Sequence, residues 1–115
     1  MLDIKIDKSI GLIGAGNMAT AIVKGILREG LMDSERINVY DVNPVKLSKL
    51  AEETAINICE SNGEVVENSY IIILAVKPDV YPLVLDEIKK KLNEKHILIS
   101  IAAGVPLKYI RDRIE

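Results

Sequence analysis

Apolar positions along the chain change their period several times. Ile10 to Ile13 is a short apolar run that ends at Gly14. Ala19, Ile22, Val23, Ile26 and Leu27 then recur at i, i+3, i+4, i+7 and i+8. That spacing predicts one face of an amphipathic helix, which Gly30 should stop. Ile37 to Tyr40 reads as a second strand, closed by Asp41. Pro44 sits where a first helical turn tolerates proline, and Leu47, Leu50 and Ala51 mark that helix's inward side. Ile56 to Ile58 is a weaker third strand, and Gly63 to Glu67 a short helix. Tyr70 to Val76 is apolar throughout, as expected of a strand with helices on both faces. Tyr81, Leu85, Ile88 and Leu92 pattern the next helix. Lys89 to Lys95 reads as its solvated end, where cations suit the helix dipole. Ile97 to Ile101 is predicted to be another buried strand, and Pro106 to begin a last helix.

Strands that alternate with helices imply right-handed crossovers and a parallel sheet. The predicted fold is α/β: a Rossmann-type, doubly wound, mainly parallel sheet with helices on both faces. No repeat or linker divides the chain, so residues 1–115 are expected to form one domain. Such sheets bind ligands beyond the carboxyl ends of their strands. Four of those ends carry distinctive residues: Gly14–Met18, Asp41–Asn43, Ala75–Pro78 and Ser100–Gly104.

The first end fits G-x-G-x-x-G/A with Gly14, Gly16 and Ala19. Gly14 would permit the tight turn out of the strand. Gly16, lacking a Cβ, would let a pyrophosphate approach the backbone. Ala19 is small enough for close helix–strand packing. Free amides at the helix start and the helix dipole favour the anion. Asp41 follows Gly16 by 25 positions, near the spacing of about 20 at which an acid meets the ribose hydroxyls. The bland alternative is that Asp41 caps the helix that Pro44 begins; the ribose contact is the favoured reading, and the two are compatible.

Composition narrows the field. Hydrophobic residues make up 49% and charged residues 28% of the chain, with a formal net charge of -2. That gives no long-range attraction to nucleic acid or anionic membrane. No apolar run is long enough for a membrane span, and the charged N-terminus lacks a signal-peptide core. One cysteine, Cys59, forbids an internal disulfide and fits a reducing cytoplasm. One His and one Cys cannot supply a metal site or a Ser/His/Asp arrangement. Cys59 reads as a small buried hydrophobe, Met18 as packing and His96 as a surface residue. Lys77 is either a solvated loop lysine or a ligand contact. Asn62 would by default cap the short helix near Gly63.

The stretches GLIGAGNMATAIVKGIL, LAVKPDV and ISIAAGVPL, in this order and spacing, resemble the N-terminal region of the pyrroline-5-carboxylate reductases. That family reduces 1-pyrroline-5-carboxylate to L-proline with NADPH or NADH. The resemblance runs from about Ser9 onward. It implies that Gly14, Gly16, Asn17 and Met18 line the pyrophosphate path, and that Asp41 and Asn43 fall at the adenine ribose. Asn62 would approach that ribose or its 2′-phosphate. Ala75, Val76, Lys77 and Pro78 would border the nicotinamide ribose, with Ala102, Ala103 and Gly104 close to the ring.

Family members continue with a further strand, an M-P-N-T-type motif and a helical domain that forms the dimer and holds the substrate carboxylate. This chain is therefore expected to be the cofactor-binding part alone, with no catalytic or substrate-binding residue of its own and with homo-oligomerisation expected of the full-length protein. Two other readings stay open: a hydroxy-acid or prephenate-type dehydrogenase of the same superfamily, and a non-catalytic nucleotide-sensing module. Asp41, with Val42 and Asn43 rather than an arginine after it, weakly favours NADH over NADPH.

Overall fold

The structure, a computed structural model, describes residues 8–114. It contains five strands: β1 (Ile10–Ile13), β2 (Ile37–Tyr40), β3 (Asn57–Ile58), β4 (Ile71–Leu74) and β5 (Ile97–Ser100). All are parallel, in the order β3-β2-β1-β4-β5. The helices are α1 (Asn17–Arg28), α2 (Pro44–Thr54), α3 (Asn62–Glu67), α4 (Tyr81–Ile88) and α5 (Leu107–Ile114), with short 3-10 turns before β2 and α4.

The sheet is doubly wound, as the alternation predicts. Leu12, Val39 and Ile73 point to one face and pack with Val23 of α1 and Leu47 and Leu50 of α2. Ile13, Ile72 and Leu74 point to the other, against Val65 of α3, Leu85 and Ile88 of α4 and Ile110 of α5. The chain builds β1, β2 and β3 outward, then crosses back to place β4 on the other side of β1. The strand order therefore reverses between β1 and β4.

Helix ends follow local chemistry. Gly30 does stop α1: its N–H reaches the Leu27 carbonyl, and the Leu31 N–H reaches Ile26, the paired bonds of a Schellman motif. The α4 helix ends at Ile88 rather than Leu92, so Lys89 to Lys91 form a turn and the lysine run lies beyond the helix. Lys89 pairs with Asp86, and Lys91 with Glu67.

One expectation fails. The β5 run is not buried: Ile97 is 47% and Ile99 41% exposed. Their register partners are Ile71 and Ile73 on the α1–α2 face, but β5 is the edge strand and those two helices do not reach it. An apolar run reports that a strand suits burial; it does not report which neighbours cover it.

The centre of the sheet depends on a missing side chain. A Cβ at Gly11 would lie 2.5 Å from Val65 Cγ1 and 2.9 Å from Ser69 Cβ, so α3 can rest on β1 only where β1 has none. Beside it, the buried Asn38 donates through Nδ2 to the Asn68 carbonyl (3.0 Å) and to Ser69 Oγ (3.1 Å), and its Oδ1 accepts from Asn57 Nδ2 (3.0 Å). Gly11→Ala should therefore destabilise the chain by about 1–3 kcal/mol, the usual cost of overpacking a tight core. Urea unfolding followed by circular dichroism measures this; an unchanged midpoint would mean that α3 can back away from β1 freely.

Candidate functional site

A cleft of about 860 Å³ opens at the carboxyl ends of the strands, at the point where the strand order reverses. Gly16, Asn17 and Met18 line it from the glycine turn and the first turn of α1. Asp41 lines it from the end of β2. Ala75, Val76, Lys77 and Pro78 form the wall beyond β4, and Ala102 the wall beyond β5.

The glycine turn is shaped from behind and open in front. Gly14 has φ +112, and a Cβ there would lie 2.6 Å from the Ala75 carbonyl oxygen. Only glycine tolerates both the backbone and the contact. Gly14 thus aims the turn and does not itself line the cleft. At Gly16 a Cβ would meet nothing within 4 Å. Gly16 caps α1 without any side-chain hydrogen bond, and the first intrahelical bond runs from the Thr20 N–H to the Gly16 carbonyl, at 2.9 Å. The amides of Asn17, Met18 and Ala19 therefore have no intrahelical acceptor. Unshielded amides, the positive end of a helix dipole and open space at Gly16 fit an approaching pyrophosphate.

Asp41 holds this turn in place. Its Oδ2 accepts from the Ala15 N–H and its Oδ1 from the Asn43 N–H, both at 2.7 Å. Asp41 is not the cap of α2. Asn43 is, accepting from the N–H groups of Val45 (3.0 Å) and Lys46 (3.3 Å). With its side-chain oxygen spent on the cap, Asn43 does not line the cleft.

Asn62 is likewise placed differently from either expectation. Ser61 caps α3, its Oγ accepting from the Glu64 N–H at 3.1 Å. Asn62 is buried in the first turn, where its Nδ2 donates to Glu87 Oε2 at 2.8 Å and fastens α3 to α4. It lies outside the cleft lining. Ala103 and Gly104 also lie outside it, in an exposed turn in which Gly104 takes φ +81. Met18 is 60% exposed and lines the cleft, so it does not serve as packing. Lys77 lies at the cleft wall and is exposed.

One wall goes beyond the residues expected from sequence. Thr20 and Lys24 of α1 and Lys46, Lys49 and Glu53 of α2 line the same cleft. The spacing of 46, 49 and 53 puts three charges on one helical face, a signal available in the sequence beside the inward Leu47 and Leu50. Lys24 bonds Glu53 across the two helices at 2.8 Å. That bond, with the nearby charges of Lys24 and Lys49, holds the Glu53 carboxyl below the usual carboxylate range. Lys46 and Lys49 have no ion-pair partner among the described residues.

Other titratable groups stand apart from the cleft. His96 is half-buried rather than a surface residue. Its Nδ1 accepts from the Asn93 N–H and its Nε2 meets the Val66 carbonyl, both at 3.0 Å. Those partners require the proton on Nε2, so the ring anchors the turn before β5 to α3. Among the described residues no cluster of three metal-ligating side chains occurs, and no helix is long and apolar enough to cross a membrane.

Comparison with known proteins agrees with this geometry. A family model described as NADP oxidoreductase, coenzyme F420-dependent, matches residues 9–104. The pyrroline-5-carboxylate reductase of Escherichia coli K12 is 43% identical over 101 residues, covering 88% of this chain and 38% of the relative. The structure of a pyrroline-5-carboxylate reductase from Coxiella burnetii aligns with a TM-score of 0.88 at 34% identity, covering 95% of this chain and 40% of that one. That of the Plasmodium falciparum pyrroline carboxylate reductase, solved with NADP bound, aligns with a TM-score of 0.82 at 28% identity, covering 96% and 39%. The chain thus spans about two fifths of the length of these relatives.

Cys59 is buried, as expected of a small hydrophobe. Burial, followed by the charge of Glu64 and a hydrogen bond with it, raises its thiol pKa from 9.0 to about 11. A raised value in the folded chain means that this stabilising contribution is complete below about pH 9 and fades as pH rises through about 11. At pH 8 the folded chain should therefore react with a disulfide reagent such as Ellman's only as fast as it opens, and promptly once denatured. Rapid, stoichiometric labelling of the folded chain would contradict this placement.

Proposed function

The chain belongs to the family described as NADP oxidoreductase, coenzyme F420-dependent, and from that premise we propose that it is the nicotinamide-dinucleotide-binding part of a pyrroline-5-carboxylate reductase. In this reading the whole protein reduces 1-pyrroline-5-carboxylate to L-proline. The observation that carries the cofactor assignment is the open approach at Gly16 beside the unpartnered amides of α1, at the reversal point of the sheet. The relatives' activity gives the substrate class. The imine substrate and self-association into an oligomer belong to the whole protein, and the free, buried thiol of Cys59 suits a reducing, cytoplasmic setting.

Each residue then has a task set by its place. The amides of Asn17, Met18 and Ala19 receive the pyrophosphate. Asp41, while holding the Ala15 and Asn43 amides, offers its remaining lone pairs to the adenine ribose hydroxyls. Ala75, Val76, Lys77, Pro78 and Ala102 flank the nicotinamide end, with Ala103 and Gly104 at its outer edge. Asn43 and Asn62 act from outside the cleft, through the α2 cap and the α3–α4 tie. The dinucleotide supplies the hydride for the imine carbon; this chain binds and orients it. No side chain here is assigned a proton transfer.

Titration calorimetry with NADH tests the assignment. The unchanged chain should bind, and Gly16→Val should abolish binding while leaving the circular dichroism spectrum and unfolding midpoint nearly intact. The branched side chain would fill only the space the pyrophosphate needs. Equal affinity in the two proteins would reduce the loop to a structural turn.

Cofactor preference depends on opposed charges. A 2′-phosphate beside Asp41 meets a like charge, about 4 kcal/mol at 4 Å and an effective dielectric of 20. Screening and side-chain movement lower that to about 1–2 kcal/mol. Lys46 and Lys49 on the facing helix narrow the margin further. The expected result is a weak preference for NADH, at most about tenfold, which Asp41→Ser should narrow or reverse. The ratio of the two dissociation constants within each protein is the measurement, because loosening of the Ala15 turn affects both cofactors alike. Tighter NADPH binding by the unchanged chain would overturn the preference.

A further inference from the structure

One fully buried hydroxyl lies behind the cleft wall and is used by nothing described so far. Tyr81 is the first residue of α4 and has no exposed surface. Its hydroxyl lies 2.8 Å from Ser100 Oγ and 3.3 Å from the Leu74 carbonyl oxygen. Leu74 and Ser100 are register partners and the last residues of β4 and β5. Immediately beyond them the two strands separate into the cleft walls, Ala75–Pro78 on one side and Ile101 and Ala102 on the other.

The pairing of the two strands is loose at that point. The bond from the Ile101 N–H to the Leu74 carbonyl measures 3.4 Å, long for an N–H donor. The same carbonyl accepts from Tyr81, whose phenol has one proton to give. When that proton goes to Leu74, Ser100 donates to the phenol oxygen, and all three groups are satisfied. The contact from Tyr81 to Leu74 also joins the two ends of the segment 75–80, closing it into a ring.

We propose that Tyr81 and Ser100 are positioning residues that set the separation of the two nicotinamide-side walls, and so hold the nicotinamide half of the cleft ready for its ligand. The proposal rests on the dinucleotide reading above. Neither side chain lines the cleft, so each acts through the backbone it holds. Without the hydroxyl, the segment after β4 populates other arrangements, and apparent affinity falls by the fraction of the binding-ready one. The adenosine half is held separately, by Asp41 and the α1 turn.

The test is Tyr81→Phe, which keeps the ring in its core position, with Ser100→Ala and the double variant. NADH dissociation constants should rise about three- to tenfold in each single variant, the range expected for one lost hydrogen bond. The double variant should lose no more than Tyr81→Phe alone, because that substitution already removes the bond that Ser100→Ala removes. ADP, which reaches only the adenosine half, should bind all three variants as tightly as the unchanged chain. The fluorescence of bound NADH, which reports the surroundings of the nicotinamide ring, should shift toward that of the free cofactor. Unchanged NADH affinity in Tyr81→Phe, or an equal loss for ADP and NADH, would overturn the positioning role. If the unchanged chain binds neither ligand, the dinucleotide reading falls and takes this proposal with it.

Discussion

Close backbone approach along β1 is the constraint from which the remaining architecture follows. Two glycines in four residues, Gly11 and Gly14, remove the atoms that would keep neighbours away. At Gly11 this lets α3 settle onto the sheet, and at Gly14 it lets the turn pass against the Ala75 carbonyl. The first contact lets α3 pack directly against the central strand. The second brings the glycine turn and the wall beyond β4 to opposite sides of one cleft. Side chains at Gly11 and at Gly14, just past the strand, would push those neighbours away.

Electrostatics then does what packing cannot. The glycine turn has no side chain with which to fix itself, so an acid from the next strand fixes it: Asp41 accepts from Ala15 on one oxygen and from Asn43 on the other. A carboxylate accepting two amide hydrogens is a stronger tie than a neutral acceptor would be. It also places negative charge in the cleft, while Lys46 and Lys49 place positive charge on its α2 wall. In the proposed dinucleotide reading, anchoring of the turn and discrimination between cofactors draw on the same side chain, so Asp41→Ser tests both together.

Much of this was legible in the residues. The period of apolar positions gave five strands and five helices in their correct order, and the strand ends gathered Gly16, Asn17, Met18, Asp41, Ala75–Pro78 and Ala102 at one cleft. What escaped has physical causes. Asn43 and Asn62 carry polar side chains that can serve a cap, a tie or a ligand equally well, and only the neighbouring geometry decides: Asn43 caps, and Asn62 ties α3 to α4. The exposure of β5 depends on which helices reach the sheet edge, a property of tertiary arrangement that no local pattern encodes. The lysine face of α2 was readable from its spacing, but meaning attaches to it only when α2 is seen to border the cleft.

The position of β1 also shapes the order in which the chain can fold. β1 ends at Ile13, and its first partner, β2, is complete at Tyr40; its second partner, β4, is complete only at Leu74. As the chain leaves the ribosome, the central strand therefore waits with one flank unpaired until about 60 further residues have been made. Non-local pairing of this kind is slow, and an open strand edge can meet other chains. The arrival of β4 thus acts as a timed closure of that flank, and the interval before Leu74 emerges is when this chain is most exposed to misassembly.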